Sequence, residues 1–308
     1  MKPSVVKDNA LIDASYNLDL VEQRLILLAI VEARESGKGI NANDPLTVHA
    51  ESYINQFSVH RNTAYQALKD ACKDLFARQF SYQEKSAKGN IINKMSRWVS
   101  EVGYIDNEAV VQLIFAPAIV PLITRLEKQF TKYELQQVSR LTSSYAIRLY
   151  ELLIQWRSAG KTPVFDLSIF RQQLGVESHQ YKTMSNFKTY VLDFALNQIN
   201  ELTDITAKYE QHKKGRTISG FSFTFRQKKD TSKKVITSEN PSAYFSKITD
   251  PQRHLFANKL SRLPEMNTYS QGTETFEQFA VRIAEMLKDA QKFEELFPYL
   301  QKVGFQTA

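Results

Sequence analysis

The residues of this sequence best suited to chemistry are hydrogen-bond donors, not nucleophiles. Lys182, Ser185, Asn186, Lys188 and Thr189 cluster at the start of a segment whose Phe187, Val191, Ala195, Ile199 and Leu202 recur at the spacing of a buried helical stripe. The polar side chains fall off that stripe. A helix built this way can lie in a DNA major groove, because one side is anchored and the other offers short or basic donors. In that role Asn186 addresses an adenine edge with both amide atoms. Ser185 and Thr189 serve bases or phosphates, and Lys182 and Lys188 serve phosphates. The same residues also fit a solvated helix face with a capping serine.

A second cluster, His212-Lys213-Lys214-Gly215-Arg216, lies between two alternating stretches, Ile205 to Glu210 and Ile218 to Arg226, and reads as a hairpin tip. Crowding Lys213, Lys214 and Arg216 at a tip raises self-repulsion, whereas a wing tip gripping phosphates uses that charge. Ser144 and Arg148, near the start of an earlier helix, are further candidates for backbone contact; Arg148 equally suits pairing with Glu151 or Glu134. The charge distribution agrees. Residues 1–125 carry 14 Lys/Arg against 14 Asp/Glu, residues 126–230 carry 16 against 10, and residues 231–308 carry 10 against 9. The excess is confined to the middle, as a localised polyanion-binding face requires. A sparser set precedes it: Arg61, Asn62, Thr63 and Gln66 open a helix, and Lys85, Lys88, Lys94 and Arg97 punctuate a hairpin. That part is neutral, so weaker DNA contact or dimerisation is expected of it.

Catalytic patterns are missing. The five histidines, His49, His60, His179, His212 and His254, form no His-x-His pair of the kind a rolling-circle nickase needs beside its tyrosine, so Tyr145 and Tyr150 are assigned to packing. No G-x-x-x-x-G-K-[ST] phosphate loop occurs. No metal, cofactor or enzymatic activity is expected. Cys72 is the single cysteine, suited to a reducing compartment and read as buried packing. No run reaches the roughly 18 apolar residues of a membrane span, and Met1-Lys2-Pro3-Ser4 opens no signal segment, so a cytoplasmic protein without a membrane partner is expected.

The elements that position these residues follow from periodicity. Leu18 to Ser36 reads as a helix, Leu46 to His49 as a strand, and Ala50 to Phe57 and the stretch from Arg61 as helices. Gln79 to Glu84 and Ser96 to Val102 read as a hairpin turning through Gly89, and Val110 to Phe115 as a strand. That order then repeats. Helices are expected around Phe130 to Ser139 and Ser143 to Ser158, a strand at Val164 to Leu167, a short helix at Ser168 to Leu174, a long helix from about Met184 to Leu202, and the cationic hairpin. Gln227 to Ser238 reads as a linker, followed by helices near Pro251 to Leu263 and Phe276 to Phe297. Leu11, Leu18 and Leu25 recur every seven residues, which suits an association surface or a core. The fold class is α+β: two tandem winged-helix domains plus a small C-terminal helical region. The expected division is 1–127 (dimerisation, secondary DNA contact), 128–230 (main DNA binding) and 231–308 (linker and helices).

Tyr181 to Phe225, with its SNFK helix start, VLDFALNQIN body, YEQHKKGR wing and alternating phenylalanines, resembles the second winged helix of initiator Rep proteins of iteron-bearing, theta-replicating bacterial plasmids. NALIDASYNLDLVEQRLILLAI and SSYAIRLYELLIQW fit the same pattern, so the resemblance covers residues 5 to 230. It implies a protein that binds directly repeated origin sequences, the iterons, as a monomer, and opens the adjacent duplex with host factors, namely the host initiator and the replicative helicase. It also implies a dimer, joined through the first domain, that represses its own gene at an inverted repeat. Thr189 and Tyr190 depart from the family, where many relatives carry basic residues. A winged-helix transcriptional repressor without a replication role is the alternative that the residues themselves leave open. Truncation near Lys234 is expected to leave both winged helices folded; a molten near-UV dichroism spectrum would place the C-terminal part within their core.

Overall fold

A computed structural model describes residues 3–37, 43–124, 130–228, 245, 248–263, 266, 269 and 274–305. The chain folds as two units, Met1–Lys229 and Asp230–Ala308. The first begins with β1 (Ser4–Asp8), α1 (Asn9–Ile12) and β2 (Ser15–Tyr16), which lead into the long helix α2 (Leu20–Ser36). α2 starts at Leu20, not Leu18, because Asp19 and Glu22 form a capping box in which each carboxylate accepts from the other's backbone N–H, at 2.7 and 2.6 Å.

β3 (Leu46–His49), α3 (Ala50–Phe57) and α4 (Arg61–Ala77) follow as their patterns predict. The next strands differ from expectation. β4 (Gln79–Lys85) returns through β5 (Ile91–Arg97), in a register running from Gln79↔Arg97 to Lys85↔Ile91, so the return strand is not Ser96 to Val102. Ile91, Ile92 and Met95 are exposed, and this strand therefore lacks the inward apolar alternation that reveals strands in a sequence. The fully buried Trp98 separates it from β6 (Val99–Ile105), which pairs instead with β7 (Val110–Phe115). Two antiparallel sheets result, ordered β2-β4-β5 and β3-β7-β6. α5 (Val120–Thr124) closes this half.

Residues 130 to 134 form a strand where a helix was expected. β8 (Phe130–Glu134) buries Thr131 and Tyr133 while exposing Phe130 and Lys132, a period of two, and pairs antiparallel with β1. After α6 (Gln136–Ser139) come α7 (Ser144–Ile154), β9 (Phe165–Asp166) and α8 (Leu167–Gln173). The expected long helix is realised in three pieces: α9 (Met184–Phe187), a π-helical segment Lys188–Asp193, and α10 (Phe194–Leu202). β10 (Ile205–Lys214) and β11 (Thr217–Gln227) make the expected hairpin, in a sheet ordered β10-β11-β9.

One continuous core runs through both winged helices, and it contains Leu11, Leu18 and Leu25. Their seven-residue recurrence is therefore core packing; exposures of 0%, 3% and 0% leave them nothing to present to a partner. Cys72 and Tyr150 are buried in the same core, and burial pushes the Cys72 thiol up to about 11.

The core also encloses a charge cluster that joins the chain's first strand to its second half. Lys7 Nζ lies 2.7 Å and Arg148 Nη1 2.9 Å from opposite oxygens of the Glu151 carboxylate, and the Tyr133 hydroxyl donates to it at 2.6 Å. Arg148 also donates to the carbonyls of Ile12 (2.7 Å), Ala14 (3.0 Å) and Gln173 (2.9 Å) and to the Tyr16 hydroxyl (2.6 Å). At 0% exposure, with its donors taken up internally, Arg148 is not a phosphate contact. Of the two roles its spacing allowed, pairing with Glu151 is the one adopted. Burial alone raises the Glu151 carboxyl, but the adjacent Lys7 and Arg148 overcome this and hold it below the usual carboxylate range.

In the second unit α11 (Asp250–Leu260), α12 (Phe276–Met286) and α13 (Ala290–Lys302) enclose a small core that includes Phe256, Leu260, Phe279, Ile283, Phe293 and Leu296. The expected single stretch from Phe276 to Phe297 is two helices, with Asp289 accepting from the Lys292 N–H at 2.9 Å where the second begins. Of the expected linker, residues 229–238 lie outside the described residues. No described helix is long and apolar enough to cross a membrane.

Glu151→Gln leaves Lys7 and Arg148 buried together with no counter-charge, so a loss of about 3–5 kcal/mol is expected, seen as a lower urea midpoint. A carboxyl depressed in the folded state adds stability above its unfolded value, about pH 4.3, and loses it as pH falls through the depressed value. The wild type should show this acid-limb loss and Glu151→Gln should lack it; equal midpoints at pH 7 would remove the cluster's structural role.

Candidate nucleic-acid interface

The geometry around α9 begins with the turn that precedes it. Gly175 sits at φ +79°, and a Cβ there would meet the Tyr16 carbonyl at 2.7 Å, so this position accepts only glycine while the turn lies against β2. Arg171 at the end of α8 donates to the carbonyls of Gln180 (2.7 Å) and Tyr181 (3.2 Å) and lies 4.8 Å over the Phe187 ring. One side chain thus ties the turn to the buried face of α9. The helix is capped by Thr183, whose hydroxyl accepts from the Asn186 N–H at 3.2 Å. Ser185 is not the cap, which frees its hydroxyl from that role.

With Phe187, Val191, Leu192, Ala195 and Ile199 buried, Lys182, Ser185, Asn186 and Thr189 are exposed together on the opposite face. Lys188 is half-buried, its ammonium 5.7 Å from the Tyr209 ring. Tyr209 on β10 donates to Asp193 at 2.9 Å, which ties the base of the hairpin to the helix. Burial and that hydrogen bond push its phenol up to about 12. Farther out, His212 and Ser222 bridge the strands at 2.7 Å, and the chain turns at Gly215, φ +66°. Lys213, Lys214 and Arg216 are exposed there, with no ion pair among the described residues. Ser144 is half-buried at the start of α7.

In the first half Arg61, Asn62, Thr63 and Gln66 are exposed at the start of α4, Thr63 bonded back to the His60 carbonyl and Gln66 to Asp70. The basic hairpin is not the wing there. Lys85, Lys88, Lys94 and Arg97 belong to β4, β5 and their turn; Lys94 pairs with Glu84, and Arg97 donates to the Phe76 carbonyl at 2.7 Å. The hairpin that shares a sheet with β3, the strand leading into α3 and α4, is β6–β7, as β10–β11 shares one with β9, and its tip, Asp106–Glu108, is acidic. Asp106 accepts from Lys69 and Tyr65 of α4, each at 2.7 Å, and Lys69, then Tyr65, hold its carboxyl below the usual value. This tip is bound to its own helix.

Sequence reasoning gave no role to Arg171 or Tyr181, and noted Tyr190 only as a departure from the family's basic residues. Tyr190 is 59% exposed on the same face as Asn186, and its ring stacks on Tyr181, centroids 6.3 Å apart and planes 29° from parallel. The signal available was a large aromatic lying off the buried stripe.

The family model "Initiator Replication protein, WH1" matches residues 4–154, and "Initiator Rep protein, WH2" matches residues 166–225. The chain belongs to this family of replication initiators. The initiator is 23% identical over 211 residues, covering 66% of this chain and 65% of the relative, to a replication initiation protein of Escherichia coli. It shares 80% identity with the WH1 domain of MSBI1.176, a replication protein isolated from a multiple sclerosis patient, over 40% of this chain and 92% of that one, at a TM-score of 0.34. The crystal structure of Pi initiator protein in complex with iteron DNA covers 74% of this chain and 99% of its own at 22% identity and a TM-score of 0.60, a likeness of fold. The tandem winged-helix architecture expected from the sequence is thereby established.

Replacing Lys213 and Arg216 together by Ala is expected to flatten the salt dependence of DNA binding, log K against log salt, by about two units. An unchanged slope would remove the tip from phosphate contact.

Proposed function

We propose that this initiator binds directly repeated origin sequences, iterons, chiefly through its second winged helix, and promotes opening of the adjacent duplex. One observation carries the reading: an exposed face of Lys182, Ser185, Asn186 and Thr189 stands beside a hairpin tip whose three cations have no ion-pair partner among the described residues. Asn186 reads an adenine edge, Ser185 and Thr189 serve bases or phosphates, and Lys182, Lys188, Lys213, Lys214 and Arg216 hold the backbone. The likeness to Pi initiator protein, solved with iteron DNA, supports the substrate.

The first domain, residues 1–127, supplies secondary contact through Arg61, Asn62, Thr63 and Gln66 and carries dimerisation; its balanced charge and its self-bound Asp106 support the lesser share in DNA affinity. As a dimer the protein represses its own gene. The host initiator and replicative helicase are its partners in the cytoplasm. The chain performs no catalysis of its own; magnesium-dependent nicking of supercoiled origin DNA would overturn that.

Footprinting on the non-coding DNA beside the gene tests the whole reading. Protection of several direct repeats is expected, and protection of a single inverted repeat alone would make the protein a repressor instead. On one protected repeat Asn186→Ala should cost about 1–3 kcal/mol, with little change on random duplex. Equal losses on both would end its base-reading role.

A further inference from the structure

Tyr190 has no place in the contacts proposed above, yet the fold holds it with care. It follows Asn186 by one turn on the exposed face, and Phe194, 48% exposed, follows by another. The stripe Asn186, Tyr190, Phe194 thus changes from amide to aromatic along one side of the helix. Neither ring is drawn into the core, although Val191 and Ala195 beside them are fully buried. Tyr190 lies in the π-helical segment Lys188–Asp193, an irregularity that frequently marks functional sites. Its hydroxyl has no partner among the described residues, so no internal hydrogen bond accounts for the choice of tyrosine.

The ring beneath it is held in a strained position. Tyr181 adopts φ +40°, an outlier for an aromatic residue, and that backbone persists because the surroundings over-determine it. Arg171 holds the carbonyls of Gln180 and Tyr181, and the Tyr181 ring meets Tyr145 edge-on at 6.1 Å and Tyr190 face-on at 6.3 Å. Tyr190 is therefore pre-oriented, outward-facing and uncharged. A neutral ring here adds little to phosphate attraction; in a major groove, an apolar side chain beside an adenine-reading amide meets the C5 methyl of thymine.

We infer that Tyr190 is a specificity-determining residue whose ring contacts the methyl group of a thymine next to the base read by Asn186. This rests on the proposed placement of the helix in the major groove, and it adds methyl recognition to the adenine contact as a source of specificity, beside the sequence-blind affinity that cation–phosphate attraction supplies.

The test uses the full chain and a pool of random-sequence duplex DNA. After a site is selected, each of its thymines is replaced in turn by deoxyuridine, which removes only the methyl group. One replacement should weaken wild-type binding about four-fold, the worth of one buried methyl-sized group. The same replacement should leave Tyr190→Ala unaffected, while Tyr190→Phe should behave as wild type. Tyr190→Ala should keep the wild-type salt slope. If every deoxyuridine weakens wild type and Tyr190→Ala alike, or none weakens wild type, the methyl contact is refuted and DNA binding stands. If the wild-type chain enriches no sequence from the pool, the DNA-binding reading itself fails, and this inference with it.

Discussion

Glu151 is a carboxylate without access to water, tenable only because Lys7, Arg148 and the Tyr133 hydroxyl converge on it. Those groups come from β1, α7 and β8, and Arg148 extends the cluster to the carbonyls of Ile12, Ala14 and Gln173. A buried ion cluster adds little net stability over an apolar one, but it tolerates few alternatives, since displacing any member strands the others. The N-terminal strand, the segment leading to α2, and α7 are thus held in one arrangement. Gly175 shows how close that arrangement is, with the turn before α9 pressed against the Tyr16 carbonyl. The helix face that carries Asn186 is consequently mounted on a body that includes the first winged helix.

The two winged helices share an architecture and differ in what they do with charge. In the first, the acidic tip of β6–β7 is consumed by Lys69 and Tyr65 of its own α4. In the second, the tip of β10–β11 carries cations exposed and unpaired among the described residues, while the base of the hairpin is fastened to the helix through Tyr209 and Asp193. A hairpin rigid at its base and charged at its end suits the backbone contacts proposed for it, because little of it has to be ordered on binding.

Much of this was legible in the sequence. The buried stripe from Phe187 to Leu202, the alternation of Ile218 to Arg226, the cationic tip and the neutral first part are one-dimensional patterns, and each depends only on neighbours within a few residues. Those patterns placed the second winged helix, its exposed polar face and its wing. Periodicity also located β3, α3, α4 and β7, because their apolar residues face a core in regular alternation.

Tertiary structure decided what depends on residues far apart in the chain. β8 is a strand because β1, near the N-terminus, pairs with it; five residues of FTKYE carry too little periodicity to say so. Arg148 has the composition of a surface residue and is buried because three distant carbonyls and Glu151 converge on it. The first wing is β6–β7, not the lysine-bearing hairpin, because Trp98 sinks into the core between two strands that a sequence pattern runs together. The stacking of Tyr190 on Tyr181 likewise follows from a left-handed turn held by Arg171. Local periodicity records which face of an element is buried; it holds no information about which distant group completes a buried charge, an edge strand or an aromatic stack.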